Sequence, residues 1–564
     1  MKTFNTIFAQ GLVGCILLFS MSCKKSLEQN PQAVISYEQL SDKTNTEAVI
    51  IGAYSVLNGQ FDAGEAYNSP GDNWSFGDIR SGDAYKGSTG TTDQLNIHDM
   101  EMFISLVATN LDTQRKWACL YEGIKRCNTA LQVLPVATGY TDQLRAQRIA
   151  EMRFLRGHYY FELKKIYNRP AYIDETVINN NDFYVSNNDL TSDQIWTKIE
   201  NDFKAGITVL PAAKGTEPGR PTRFAAWAYL SKTYMFEKKW DLASAAADTV
   251  IQKGGFSLMA SYGDVFLPAN DNGPEIVFAV QHSVNESGTT GSRNGSIADR
   301  LDRIATPVDK AYPAAAQGFF RPSQNLVNAY KTAKGLPANN DVILTVTDTI
   351  DIRLDYAIAR INIPFFDYTV QTYQANWTRG NGVYGNFSPK KKMVSPLNKA
   401  NFDISNQGIT DLNYYIIRYA DVLLWKAEAL IQLGDVDGGV AYINQVRNRA
   451  KNSKRIQKIA PLTGDAAIYN VQPYAIPFTG GTPAAMAALK LERRLELSLE
   501  GHRFFDLVRW GDAAGYLNAY FTTEKVRRSH LNTASFTTGK HEYLPIPQAE
   551  IDLSKGMLTQ NPGY

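Results

Sequence analysis

The chain has 564 residues, of which 44% are hydrophobic and 20% charged, and its 58 basic and 56 acidic side chains leave a formal charge of +2. That length is ample for a large core or several domains, and the near-neutral balance gives no electrostatic reason to bind nucleic acid or an anionic membrane surface. Past the first 22 residues no apolar run approaches the ~18 residues that a membrane-spanning helix needs, which excludes a polytopic membrane protein.

The first element in chain order is the stretch LLFSMSCKKSLEQNPQ, Leu17 to Gln32, behind a short positive start at Lys2 and an apolar run from Gly11 to Phe19. Such a run has the length of a signal peptide and is too short to span a bilayer. Small Ser20 and Ser22 flank Met21 just before Cys23, the layout of an exported precursor cut on the amino side of a lipid-bearing cysteine. Cleavage at the competing LVGC ending at Cys15 would leave most of the apolar run on the mature protein. Residues 1–22 therefore read as a lipoprotein signal peptide and Cys23 as the lipidation site. The mature chain touches a membrane only through that anchor, since several acyl chains hold where one holds marginally.

Helical periodicity follows at about Thr46 to Leu57, Thr113 to Leu134, Gln143 to Tyr167, Ser192 to Leu210 and Ala484 to Val508. Cys119 and Cys127 stand eight residues apart in one helical pattern, ~12 Å along the axis and beyond disulfide reach, so they read as core thiols. Two stretches share one plan. RFAAWAYLSKTYMFEKKWDLASAAADTVIQKG puts Ala226, Tyr229, Leu230 and Thr233 on one face, pauses at Lys238 and Lys239, then resumes with Leu242, Ala245, Ala246 and Val250. RYADVLLWKAEALIQLGDVDGGVAYINQVRNRA repeats the plan with Ala420, Leu423, Leu424, Ala427 and Leu430, a turn at Gly434 and Asp435, then Val440, Ile443 and Val446. Lys426 falls off that stripe. These are antiparallel helix pairs of tetratricopeptide type, split far apart in sequence. The helices occupy about 113–253 and 411–511. Between them, about 60–100 and 254–412 are rich in Gly, Asn, Ser, Pro and aromatics, with short β-like runs such as Glu275 to Val280 and Asp341 to Val346. Long, aromatic-rich connections of this kind read as a loop-built functional face on a predominantly α scaffold.

Five motifs, in order, carry a family resemblance: CKKSLEQNPQ; AEMRFLRGHYYFELKKIYNRP (Ala150 to Pro170); YYIIRYADVLLWKAEALIQLGD (Tyr414 to Asp435) with YINQVRNRA; LERRLELSLEGHRFFDLVRWG (Leu491 to Gly511); and YLPIPQAEIDLSKGMLTQNPGY (Tyr543 to Tyr564). With them the chain resembles the SusD/RagB family of nutrient-binding outer-membrane lipoproteins of Bacteroidetes. The resemblance implies one SusD-like domain over residues 23–564 and a surface glycan- or peptide-binding site built from loops. It also implies a partner, a SusC-like TonB-dependent outer-membrane transporter on which the protein sits as a lid. Within the fourth motif Glu492, Glu496 and Glu500 recur at i, i+4 and i+8 beside Arg493, Arg494, Arg503 and Arg509. They read as scaffold ion pairs along a helix, each worth ~0.2–0.5 kcal/mol, and Arg418 and Glu428 read the same way.

No enzymatic constellation emerges. His541-Glu542 lacks a second histidine at helical spacing, GNGVYGNF (Gly380 to Phe387) does not open a helix after a strand, and the cysteines have no zinc-spaced partners. No cofactor or metal is called for. A carboxylate pair set by spatial separation is the alternative, a surface glycoside hydrolase. Binding has positive support, because flat aromatic faces receive sugar C–H faces while planar polar groups meet hydroxyls. The candidate contacts are Trp74, Arg80 and Tyr85 in the first loop region, with Trp74 on a protruding loop after the turn-forming run PGDN, and Tyr312, Phe320 and Trp377 in the second.

Overall fold

The computed structural model describes residues 39–59, 68–177, 184–284, 294–296, 317–395, 397–403 and 409–564. Cys23 and Tyr312 lie outside them.

The helices of eight residues or more are α1 (Lys43–Tyr54), α2 (Leu95–Met102), α3 (Leu111–Val133), α4 (Asp142–Tyr167), α5 (Ser192–Lys204), α6 (Arg223–Phe236), α7 (Trp240–Lys253), α8 (Tyr419–Gln432), α9 (Val436–Asn452), α10 (Gly481–Glu496), α11 (Arg503–Trp510) and α12 (Ala513–Arg527). Their starts carry local signals. Asn110, Thr141 and Thr222 accept from the third backbone N–H of the helix that follows each, and Thr191 with Gln194 closes a capping box at α5. Successive helices pack side by side from α3 through α7, and α7 then packs on α8. The two helix pairs, separated in sequence by the second loop region, thus form one stack. Only non-local packing could bring them together.

Helix α8 is buried nearly all round, not on one stripe. Leu424 and Ala427 pack with α9 and α10 as expected, joined by Ile431, while Leu430 is only half-buried. Lys426 is a correction: it too is buried, and its Nζ donates to Asp248 Oδ2 at 2.6 Å and Ser244 Oγ at 2.7 Å in α7. A lysine placed between two helix pairs finds its partners on the neighbouring pair, which a single amphipathic helix cannot reveal.

Two other expectations change. The helix expected from Ala484 to Val508 is interrupted at 497–502, where Leu499 and Gly501 take φ of 62° and 81°. A Cβ on Gly501 would sit 2.2 Å from the Asp72 carbonyl oxygen, so the close approach of the first loop region demands glycine there. The run from Asp341 to Val346 is not a strand. Side chains already accept from three of its N–H groups: Asn340 from Val342 N, Asn328 from Leu344 N and Asp348 from Thr345 N. With its donors satisfied locally, the segment gains little from a ladder.

The strands that position the site are short: β1 (Ala84–Gly87), β2 (Ile276–Val280), β3 (Phe319–Pro322) and β4 (Tyr414–Arg418). β1 pairs antiparallel with β3, Tyr85 opposite Arg321, and β2 pairs antiparallel with β4. Each pair ties loop-rich sequence to distant chain. No helix among the described residues is long and apolar enough to cross a membrane.

Candidate functional site

The loop-tip reading of the first candidate region is corrected. Asn73 takes φ of 54°, and Trp74 to Ile79 then form a π-helical turn in which all six residues are buried. Trp74 is 1% exposed and packs against Phe320 and Phe319, with ring centroids 5.6 and 6.5 Å away. Arg80 is sealed as well: its guanidinium lies 4.0 Å from the Phe504 ring centroid and Nη2 donates to the His541 carbonyl at 2.7 Å. Tyr85, in β1, donates its hydroxyl to Glu524 and accepts from Gln324 N. Phe320, in β3, takes φ of 57°, a strained value for a bulky side chain. Trp377 packs in a separate cluster with Phe365, Tyr368, Tyr373 and Met393. Trp74 and Phe320 are therefore brought together, whereas Arg80, Tyr85 and Trp377 each serve a different contact. An aromatic-rich loop buries its rings because each removes a large apolar area from water, which outweighs any tendency of turn residues to protrude.

The two loop regions do meet, at a small recess of about 50 Å³. Asp72 and Trp74 come from the first region; Phe266, His282, Lys391 and Lys392 come from the second; Tyr414 arrives on β4 with Asn413 just before it, and Glu500 on the α10–α11 turn. Tyr414 and His282 are half-buried, so they border solvent. Sequence reasoning missed these residues. Tyr414 stood inside a motif read as scaffold, and neither His282 nor Lys390 to Lys392 was singled out. All three lysines are in fact buried, and each finds a separate acceptor: the Asp355 carbonyl at 2.7 Å, Glu500 Oε1 at 2.7 Å and Asp72 Oδ2 at 2.6 Å. Three consecutive lysines in an aromatic-rich loop were the available signal.

The recess holds two kinds of surface. Tyr414 presents a ring beside Trp74 and Phe266, and Lys392 sits 4.7 Å from the Phe320 ring centroid behind them. Around these rings stand fixed polar groups. His282 Nδ1 and the Asn294 carbonyl oxygen lie 2.8 Å apart, and burial pushes the imidazole pKa down. A neutral ring that donates from Nδ1 keeps Nε2 as an acceptor. Asn413 Oδ1 accepts from His282 N at 2.8 Å, which fixes the amide that borders the recess.

The two carboxylates that line the recess are already engaged. Lys392 holds Asp72. Burial pushes Glu500 up, but Arg418 and Lys391 outweigh it and hold the carboxyl at about 2. A glycosidase acid needs the opposite, a raised pKa on a group that reaches substrate. Asp78 is raised well above its ordinary range by burial, yet it is 0% exposed and accepts from Gly501 N behind the π-turn. Among the described residues no group of three His, Cys, Asp or Glu side chains could hold a metal ion.

Comparison with known proteins bears on the family and the fold. Residues 274–564 match the model described as the SusD family, and residues 38–235 match one described as starch-binding associating with outer membrane. A SusD-like protein of Formosa agariphila is 22% identical over 98% of this chain and 99% of its own. Among solved structures, a SusD superfamily protein of Bacteroides vulgatus is similar with a TM-score of 0.69 at 21% identity, covering 92% of this chain and 99% of that one. Surface glycan-binding protein A of Bacteroides thetaiotaomicron, solved in complex with laminarihexaose, is similar with a TM-score of 0.62 at 24% identity over 92% of this chain and 99% of its own.

Proposed function

The chain belongs to the SusD family, and from that premise we propose that it is a surface glycan-binding protein that takes up an oligosaccharide at the recess beside Tyr414. It passes the ligand uncleaved to a TonB-dependent transporter of the SusC type. The observation that carries this reading is the recess itself, where both aromatic-rich loop regions converge on ring faces bordered by fixed, neutral hydrogen-bonding groups. Sugar rings need that pairing. The ion-paired state of Asp72 and Glu500 supports binding without hydrolysis, and the relative solved with laminarihexaose makes a short glucan the first probe.

Titration calorimetry against laminarihexaose and a panel of other oligosaccharides, with product analysis after incubation, tests this. His282→Ala removes one hydrogen-bond acceptor and is expected to weaken the ligand that binds roughly 3- to 10-fold, the equivalent of about 0.5–1.5 kcal/mol. Its melting temperature stays near wild type, since His282 is half-buried. Unchanged affinity in both His282→Ala and Tyr414→Ala would move the site elsewhere, and shortened products would make the protein a hydrolase.

Attachment follows from the amino-terminal sequence and from the description of the model matching residues 38–235. In this reading Cys23 carries the acyl chains and the domain stands at the outer membrane. Cys23→Ala is expected to move the protein from the membrane to the soluble fraction with its fold intact, whereas Cys15→Ala leaves it in place. Retention of the Cys23 variant in washed membranes would remove the anchor from the proposal.

A further inference from the structure

A second concavity lies on the helical side, away from the recess residues. It encloses about 560 Å³ where four elements meet: the end of α4, the start of α5, the turn between α6 and α7, and α11. That is within the range of small-molecule sites. Trp196, Phe236 and Phe505 give it apolar walls, and its polar lining is dominated by lysines.

Most of the cations there are already neutralised. Lys165 pairs with Glu162, Lys239 with Glu200 and Glu237, and Arg509 with Glu428. Two are not. Lys164 is 3% exposed, yet its Nζ donates only to the carbonyl and the amide oxygen of Asn168, at 2.7 and 2.8 Å. A buried ammonium that no carboxylate contacts directly is costly, and burial pulls its pKa down to about 8, with Arg169 adding to the fall and Asp193, across the cavity, opposing it. Lys238 makes no ion pair among the described residues and stands exposed at the mouth.

The turn that carries Lys238 has an internal control, because the second helix pair turns in the same way. Glu237 and Leu433 end their helices at φ, ψ of −86°, −4° and −81°, −2°; Lys239 and Asp435 begin the next at −83°, 71° and −85°, 77°. Between them stand Lys238 at φ 59° and Gly434 at φ 94°. The left-handed position is free of strain for glycine and strained for lysine. The first pair thus keeps a lysine, against backbone preference, at the one turn that borders the cavity. Strain retained at a concave site points to function. The acidic lining is Asp193 and Glu237. Burial, aided by nearby Glu200 and opposed by Lys239, pushes Glu237 up to about 7, so near neutrality it is in part an uncharged donor.

We propose that this cavity binds a small organic carboxylate on a ring body, of the hexuronate class, with its carboxylate between Lys164 and Lys238 and its ring against the apolar walls. Ser192, Thr197 and Asn168 supply partners for ring hydroxyls. The site stands apart from the recess, and the probe, glucuronate alone, reads it independently of any neutral glycan.

Titration with glucuronate, glucose and inorganic phosphate, followed by calorimetry or by chemical-shift changes in labelled Trp indole groups, tests the proposal. Wild type should bind glucuronate and not glucose. Lys238→Gly should lose about tenfold in affinity, the loss of one charge-assisted contact, while its melting temperature holds or rises because the turn relaxes. Lys164→Met should lose at least as much. The proposal is overturned if glucuronate does not bind at millimolar concentration, if Lys238→Gly binds it like wild type, or if phosphate binds equally well, which would make the cavity a simple anion site.

Discussion

Trp74→Ala is expected to cost about 3–5 kcal/mol of stability, the range for deleting a fully buried large aromatic side chain. The ring is 1% exposed and wedged against Phe319 and Phe320, and the π-turn that bears it is buried along its whole length. Its indole Nε1 has no hydrogen-bond partner, so the loss is one of packing and not of a polar contact. Because Trp74 also lines the recess, a collapsed site will bind weakly too, and binding alone is ambiguous. Urea midpoints decide the matter. A variant that unfolds like wild type but fails to bind would make Trp74 an exposed platform, against the burial described above.

Arg418→Met is the second large effect. Arg418 is 1% exposed and reaches Glu275 Oε1 at 2.6 Å, Glu496 Oε1 at 3.0 Å and Glu500 Oε2 at 2.8 Å. Arg353 and Arg447 extend the same network to Glu492. Removing one member of a buried ion cluster leaves charges without partners, at a cost of about 3–5 kcal/mol. The effect should depend on pH. Burial raises Glu496 and Glu500, but the surrounding cations win: Glu496 lies well below its ordinary range and Glu500 at about 2. A depressed carboxylate contributes stability above its unfolded pKa of ~4.3 and loses it as pH falls through the folded value. Wild type is therefore expected to lose stability between about pH 4 and 2. The deficit of Arg418→Met, greatest at pH 7, should shrink over that window as protonation removes the orphaned charges. Denaturation at pH 7 and pH 3 measures it, and an equal deficit at both would mean that the network is not what Arg418 holds.

That network also marks the line between what could be read from the sequence and what could not. Ladder spacing placed Glu492, Glu496 and Glu500 on one helix face and suggested weak local pairs with neighbouring arginines. The partners are instead Arg353, Arg418, Arg447 and Arg449, drawn from a short helix, a strand and a neighbouring helix. Arg493 and Arg509 turn to Asp506 and to Asp421 or Glu428. Spacing fixes which side chains share a face, but the identity of the element opposite that face is non-local.

The sequence by itself determined most of the long helices, the two helix pairs with their turns, and the family, because those depend on residues a few positions apart or on ordered motifs. It also located the two loop regions that meet at the recess. Only the tertiary structure decided which loop aromatics are buried and which border solvent. A ring on a turn-rich segment has the same local pattern in either case, and its fate is set by whether distant apolar surface, here Phe320 against Trp74, is available to cover it. The same holds for Lys426 and for Lys390 to Lys392. A lysine reads as solvated until the fold places an aspartate, glutamate or carbonyl from another element within hydrogen-bond distance of its ammonium.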